Sequence, residues 1–504
     1  MRDIAIKITL TVISLLFAIG SLFLTVCAVK NSNKGVVYME KDGKYYYQSD
    51  LVKVYETTGN KSKLLVEGND LFFGGATQAN TQITINKNKK FQQVKAIGAA
   101  MTHASAYNIN RSAYKDEMLK ALFSPTEGAG FNIIRVPIGT SDYGTYVNGT
   151  LAFYTLCDIE EGEDLELEHF SIQNDLVDLI PVIKAAYEIN PKLQVLLAPW
   201  SAPAWMKSSK RLQSGFLLEE YEEVYANYLV KAIMAYETEG IKVNYLSILN
   251  EPEMHPSTYP VMNMPIDQQI RVTKLVGQKL KENKLEVKIM TWDHNTDNYQ
   301  YPLELLGDKE ANKYVSGVAF HGYYGDIFDH AYAYQQIKDN YPNKEIYFTE
   351  ITAGDWSVDF ASNISYALVN AILGTFNNHG SIVTYWNLVL DENNMPFFGG
   401  AGNCHGLLTK ALDDTWYSKS AEYYALMHVS KFINLSEHKI HVIDSYSTND
   451  MIVATSFLRD DGKIILVVLN TSDLLSEEVE IKYNGRYFSY EIMPQSVVTF
   501  VWEG

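Results

Sequence analysis

The chain has 504 residues, 47% apolar and 20% charged, a globular composition that excludes a disordered or fibrous protein. Its 42 Lys and Arg against 60 Asp and Glu give a net charge of −18; with no basic run, nothing here points to a nucleic-acid partner. Three cysteines are too few for a disulfide framework to carry a fold of this size.

Arg2 and Lys7 precede 22 uncharged residues, Ile8 to Val29. That pattern predicts a signal peptide or membrane anchor over residues 1–29, with Val26-Cys27-Ala28 as the small-residue cleavage site. The expected location is secreted, or anchored to the membrane with the domain extracytoplasmic. Residues 30–50 are polar and read as a linker. Short alternating pieces follow across 51–91, such as Val52-Lys-Val-Tyr and Gln82-Ile-Thr-Ile, and predict antiparallel strands that join a β-sandwich.

From residue 92 to 432 the pattern changes to apolar strands alternating with amphipathic helices, which means βα units and a parallel sheet. Eight strands are expected: Val94–Met101, Asn132–Ile138, Leu193–Trp200, Val243–Asn250, Val287–Trp292, Gly317–Tyr323, Ile346–Ile351 and Ile382–Leu390. Between the third and fourth, Tyr225, Tyr228, Leu229, Ala232, Ile233 and Tyr236 fall on one helical face, with Gly240 as the stop. Eight strands with intervening helices fit an α/β (β/α)₈ TIM barrel. Residues 433–504 return to short alternating strands. Together with 51–91 they predict a discontinuous β-sandwich built from N- and C-terminal segments, whose role is structural packing against the barrel.

Chemistry enters at two strand ends. Val243-Asn-Tyr-Leu-Ser-Ile-Leu runs into Asn250-Glu251-Pro252, and Glu345-Ile-Tyr-Phe-Thr349 into Glu350. Proline cannot continue a central strand, so Glu251 belongs where strand gives way to loop, on the rim where barrels do chemistry. Two such carboxylates suit glycosidic bond cleavage. One protonates the leaving oxygen and the other meets the oxocarbenium-like centre, at a separation of about 5–5.5 Å if configuration is retained.

These residues resemble the clan of retaining glycosidases on (β/α)₈ barrels, and more specifically glycoside hydrolase family 30, the glucosylceramidase-like group. Gln92-Gln-Val-Lys-Ala-Ile-Gly98-Ala-Ala-Met101-Thr102 and Asn132-Ile-Ile-Arg135-Val-Pro137-Ile-Gly-Thr-Ser-Asp142-Tyr143 are similar to its first two strand motifs. Leu196-Leu-Ala-Pro199-Trp200-Ser201-Ala-Pro203-Ala-Trp205 and Tyr385-Trp386-Asn387-Leu388 are similar to later ones. The resemblance implies Glu251 as acid/base and Glu350 as nucleophile. It implies Asn250 on the sugar 2-hydroxyl, Arg135 holding the nucleophile's carboxylate, and Asp142, Trp200 and Trp386 binding the sugar. Tyr323 falls near the nucleophile. No cofactor is expected. The implied partner is a carbohydrate or glycolipid substrate, with oligomeric state open.

Two positions depart from the family. His103 stands where an Asp or Glu is usual, and Gly322 where the lysosomal member has a Trp beside the pocket. The segment Asp391–Gly400, expected to border the +1 site, is also dissimilar, so the leaving group stays open: the substrate is a β-glucoside, a β-1,6-linked glucan or a glucosylated lipid. Asp293 and His294, after the fifth strand, are expected to line or support the rim and are too isolated for a metal site. A transglycosylase would use the same residues. A non-catalytic carbohydrate-binding surface protein would not need all of Glu251, Glu350, Asn250 and Arg135.

Overall fold

The computed structural model describes residues 37–41, 44–77, 79–399 and 402–504. The expected targeting segment, 1–29, lies outside the described residues. Among them, no helix is long and apolar enough to cross a membrane. The part of the expected linker that is described holds an antiparallel two-strand ribbon, Val37–Lys41 with Lys44–Tyr47.

Eight parallel strands close into a barrel: β1 (Ala96–Ala100), β2 (Ile133–Ile138), β3 (Gln194–Pro199), β4 (Tyr245–Ser247), β5 (Lys288–Asn295), β6 (Val315–His321), β7 (Glu345–Glu350) and β8 (Gly380–Asn387). All eight expected strands are present, in the expected order. β4 is the shortest, because the chain beyond Ser247 leaves the ladder to present Asn250 and Glu251.

The barrel interior is filled in tiers, which follow from the two-residue period of a strand. One buried residue from each strand forms the lower tier: Ala96, Ile133, Leu196, Tyr245, Met290, Ala319, Tyr347 and Ile382. Two residues further along β2, β3, β7 and β8 come Arg135, Ala198, Thr349 and Thr384, all buried. Two more along β3 and β8 bring Trp200 and Trp386 to the mouth. The interior therefore grades from apolar packing to a polar, aromatic floor within four residues.

The outer faces of the strands pack on the helices. The expected helices appear as Glu222–Thr238 and, after Pro265, Ile266–Glu282, and these two pack on each other. Tyr225, Tyr228, Leu229, Ala232, Ile233 and Tyr236 are all buried on the first.

The sandwich domain is discontinuous. Leu51–Thr57 pairs with Ser496–Glu503, while Thr81–Val94 lies between Ile440–Ser447 and Glu477–Tyr483 in a ten-stranded sheet. Within it, Lys463–Asn470 has Ile464, Leu466 and Val468 in the sandwich core and Ile465, Val467 and Leu469 in the core shared with the barrel. Burial on both faces explains why that strand reads as an unbroken apolar run rather than an alternation. Helix Ala421–Ile433 packs at this seam. There His428 meets Thr499 Oγ1 and Thr57 Oγ1, each at 2.8 Å.

Candidate active site

The site forms at the C-terminal ends of the barrel strands, around Arg135. Its side chain reaches across the barrel floor from β2 to two carboxylates and an amide. Its guanidinium is fully buried and donates to Glu350 Oε2 at 2.5 Å, Asn250 Oδ1 at 2.6 Å and Asp293 Oδ2 at 2.8 Å. Burial opposes its charge, but Asp293 and Glu350 outweigh burial and keep it protonated. The same group lies 4.8 Å from the Trp200 ring and 5.7 Å from that of Trp386, and the two rings stack with centroids 5.2 Å apart. The expected clamp on Glu350 is thus present, with a second carboxylate in its grip.

That second carboxylate comes from a backbone irregularity. Trp292 and Asp293 have φ of +75° and +53°, and the register between β5 and β6 slips between Trp292 and His294. Regular alternation would turn Asp293 out of the barrel, since Met290 points in. The bulge turns it in and sends Trp292 outward onto Tyr301. Asp293 then accepts from Arg135, from Thr349 Oγ1 at 2.7 Å and from His321 Nε2 at 3.1 Å. It is wholly buried and lies beneath the rim, as a support for Arg135 and His321. Despite burial, the Arg135 charge and the His321 hydrogen bond hold its carboxyl far below the ordinary range.

Glu251 is also left-handed, with φ of +47°, and its N–H donates to the Asp293 carbonyl at 3.0 Å. Its Oε1 lies 3.0 Å from His321 Nδ1 and 3.6 Å from His294 Nδ1. His321 bridges the acid carboxylate to Asp293 and stands beside Glu350 in the β6–β7 ladder. Burial works against its charge, yet the surrounding carboxylates, Glu350 foremost, raise it to about 9. Glu350 Oε1 accepts from the Tyr323 hydroxyl at 2.8 Å. Burial pushes the Glu350 carboxyl up against the opposing His321 and Arg135 charges. Burial acts the same way on Glu251, where His294 and His321 outweigh it and bring it down.

Above these groups is a cavity of about 270 Å³, with Asp142, Trp200, Asn250, Glu251, Tyr323, Glu350 and Trp386 in its wall. Every residue expected to touch sugar or do chemistry is there, and Arg135 lies below, as expected. Burial, with the nearby Glu350 and Glu251 charges, raises Asp142 to about 8. Tyr259, Met254, Asn295 and Trp356 also line the cavity. Asn295 ends β5, and the other three come from loops between elements, where residue identity gave no signal. His321 was visible beside Tyr323 at a strand end, which was a signal for its role.

Glu251, His294 and His321 bring one potential ligand atom each within 4.8 Å of one another. This set suits a cation poorly, because both nitrogens of His321 face carboxylates and the ring holds its proton. His103 lies outside this cavity. It begins helix His103–Asn110 and gives Nε2 to Asp175 at 3.1 Å, so its departure from the family does not touch the reacting groups. At Gly322 an added Cβ would meet Phe348 at 2.6 Å and Ile351 at 2.8 Å, so those side chains already fill the space a larger residue would need. The described part of the segment after β8, residues 391–399, reaches the same wall as Asp142: Phe398 N donates to the Asp142 carbonyl at 2.7 Å, and Phe397 packs near Tyr143.

Comparison with known proteins agrees with this architecture. Residues 94–433 match the model for the glycosyl hydrolase family 30 TIM-barrel domain, and 438–500 that for the family's beta sandwich domain. The lysosomal acid glucosylceramidase of Mus musculus is 29% identical over 85% of this chain and 85% of its own. An endo-1,6-beta-D-glucanase of Neurospora crassa is 28% identical over 81% of this chain and 85% of its own. Among solved structures, an endo-beta1,6-glucanase superposes with a TM-score of 0.78 at 28% identity, covering 90% of this chain and all of that one. With two thirds of its length in the barrel match and a sandwich match beside it, the chain belongs to glycosyl hydrolase family 30 and is a β-glycosidase.

Proposed function

We propose that the protein cleaves β-glucosides by double displacement with retained configuration. The observation that carries this is Glu350, fixed by Arg135 on one oxygen and Tyr323 on the other, under a cavity it shares with Glu251. Glu350 attacks the anomeric carbon as Glu251 gives its proton to the leaving oxygen; Glu251 then takes a proton from water, which releases the sugar. Arg135 and Tyr323 hold both nucleophile oxygens before attack, so little reorganisation remains for the transition state. Asn250, shared with Arg135, orients toward the 2-hydroxyl, and Trp200 and Trp386 give the sugar an apolar floor.

The reactive state needs a proton on Glu251, and His294 and His321 work against that in the empty site. Activity therefore belongs on the acidic side of neutrality. The substrate is a glucosylated lipid, whose lipid alcohol leaves, or a β-1,6-glucan, whose remaining glucan leaves, the classes named for the relatives above. The uncharged run Ile8–Val29 supports action outside the cytosol, by secretion or from a membrane anchor.

The test is hydrolysis of an aryl β-glycoside panel by wild type and Glu350→Gln, with the anomer of the first product read by NMR. Turnover of the β-glucoside with β-product, absent in the variant, supports the proposal. An α-product, or a variant as active as wild type, would overturn it. Transfer of the glucosyl group to an added alcohol in place of water would identify a transglycosylase using the same residues.

A further inference from the structure

A second cavity, of about 530 Å³, lies beside the catalytic one and shares Tyr323, Thr352 and Trp356 with it. Alternation along β8 turns Tyr385 outward, opposite to Trp386. The cavity therefore reaches from the rim to the outer face of β8, where Tyr366 of helix Phe360–Tyr366 and Glu422 of helix Ala421–Ile433 close it.

Glu422 is the unusual member of this wall. It is 5% exposed, yet no Lys, Arg or His among the described residues pairs with it. His405 acts on it from a distance and is itself held by Asp355 Oδ1 at 2.7 Å. Burial raises the Glu422 carboxyl above its ordinary value, against its own N–H and the Ser420 hydroxyl, which favour the charge. Neither carboxylate oxygen is sealed off by protein, so both open on the cavity. The Tyr385 hydroxyl opens there too, without a hydrogen-bond partner among the described residues. Burial and then the Glu422 charge raise that hydroxyl, which puts the two groups at one end of the cavity.

Other polar side chains of the wall already have protein partners. Thr352 Oγ1 donates to the Ala353 carbonyl at 2.8 Å, and Ser357 and Asn363 bond to each other. What faces the space is a carboxylate without a counter-charge, a hydroxyl, and the side chains of Tyr323, Trp356 and Tyr366. A sugar ring needs many hydrogen-bond partners and would find few here. An ammonium group needs one anion and aromatic faces, and the wall has both. We propose that this cavity holds a protonated amine carried by the leaving group, with Glu422 as its anion and Trp356 and Tyr366 as its aromatic walls. This rests on the β-glucoside reading and adds one feature to the leaving group, a positive charge.

The experiment compares glucose release from 6-aminohexyl β-glucoside and 6-hydroxyhexyl β-glucoside by the full chain at mildly acidic pH. The two probes have the same reach and differ in charge. Wild type is expected to favour the amine by about tenfold in kcat/KM. Glu422→Gln should lose that preference and turn over the hydroxyl probe as wild type does. It should unfold at the wild-type temperature or above, because it removes a buried charge that has no partner. Tyr366→Leu, at a half-exposed part of the wall, should cut the preference by about threefold. Equal kcat/KM on both probes in wild type, or a preference that survives Glu422→Gln, overturns the pocket. Folded wild type that cleaves neither probe would sink the β-glucoside reading instead. The pocket is then read by calorimetry with 6-aminohexanol: binding to wild type and not to Glu422→Gln leaves it standing, and no binding overturns it.

Discussion

The rim of the barrel and the seam between barrel and sandwich both bury polar groups, in opposite ways. At the rim, Arg135, Asp293, Glu251, Glu350 and His321 are charged or share protons, and each has two or more partners. At the seam, His428 lies between two threonine hydroxyls, and burial alone pushes it down to about 3. A charged network fails as a unit, because removing one member leaves another charge uncompensated; a neutral contact fails alone. Rim substitutions should therefore act on turnover and stability together, and seam substitutions on stability only.

The sharpest break is at Glu350→Gln, which keeps shape and removes the nucleophile. kcat on an aryl β-glucoside should fall by at least about three orders of magnitude with the fold intact by circular dichroism. Arg135→Met comes next. It leaves Asp293 and Glu350 facing each other in a buried floor, so the unfolding free energy should drop by about 3–5 kcal/mol along with activity. Arg135→Lys should recover little of either, since one ammonium cannot reach three acceptors as a guanidinium fork does. Equal stability in Arg135→Met would erase the contrast with the seam.

His321→Asn tests charge rather than packing. His294, Asp293, Arg135, Glu350 and Asp142 remain around Glu251, but the imidazolium that helps bring its carboxyl down is gone. The alkaline limb of kcat/KM, which reports loss of the Glu251 proton in free enzyme, should move to higher pH by about one unit. A limb that stays in place means His321 only positions the acid. The smallest effect is expected at the seam. His428→Asn should cost about 1–3 kcal/mol and leave kcat/KM within about twofold. Because the folded state resists protonating His428, stability should fall as pH drops below the unfolded imidazole value of about 6.5, toward 3. That part of the pH slope should vanish in the variant, as urea titrations at several pH values would show.

The eight barrel strands were legible because burial on both faces makes each a compact apolar run, and Glu251 and Glu350 because each ends one. Arg135 was legible only through the resemblance of its strand to the family's second motif. What stayed hidden depends on geometry that residue types do not encode. Alternation puts Asp293 on the wrong face, and only the left-handed pair Trp292-Asp293 brings it to Arg135 and His321. Tyr259 and Trp356 come from loops whose path is set by what they pack on. His103 shows the reverse case: the departure from the family was visible, but its distance from the reacting groups was not.

The sheet pairing also has a consequence in time. Ser496–Glu503 is made long after Leu51–Thr57, yet it is a central strand, with Lys463–Asn470 on one side and Leu51–Thr57 on the other. A ribosome adding about 5–20 residues per second needs tens of seconds between the two ends. Throughout that interval Leu51–Thr57 and Thr81–Val94 have exposed edges and a finished or folding barrel between them and their partners. Keeping those edges from pairing with other chains over that interval protects the yield of folded protein.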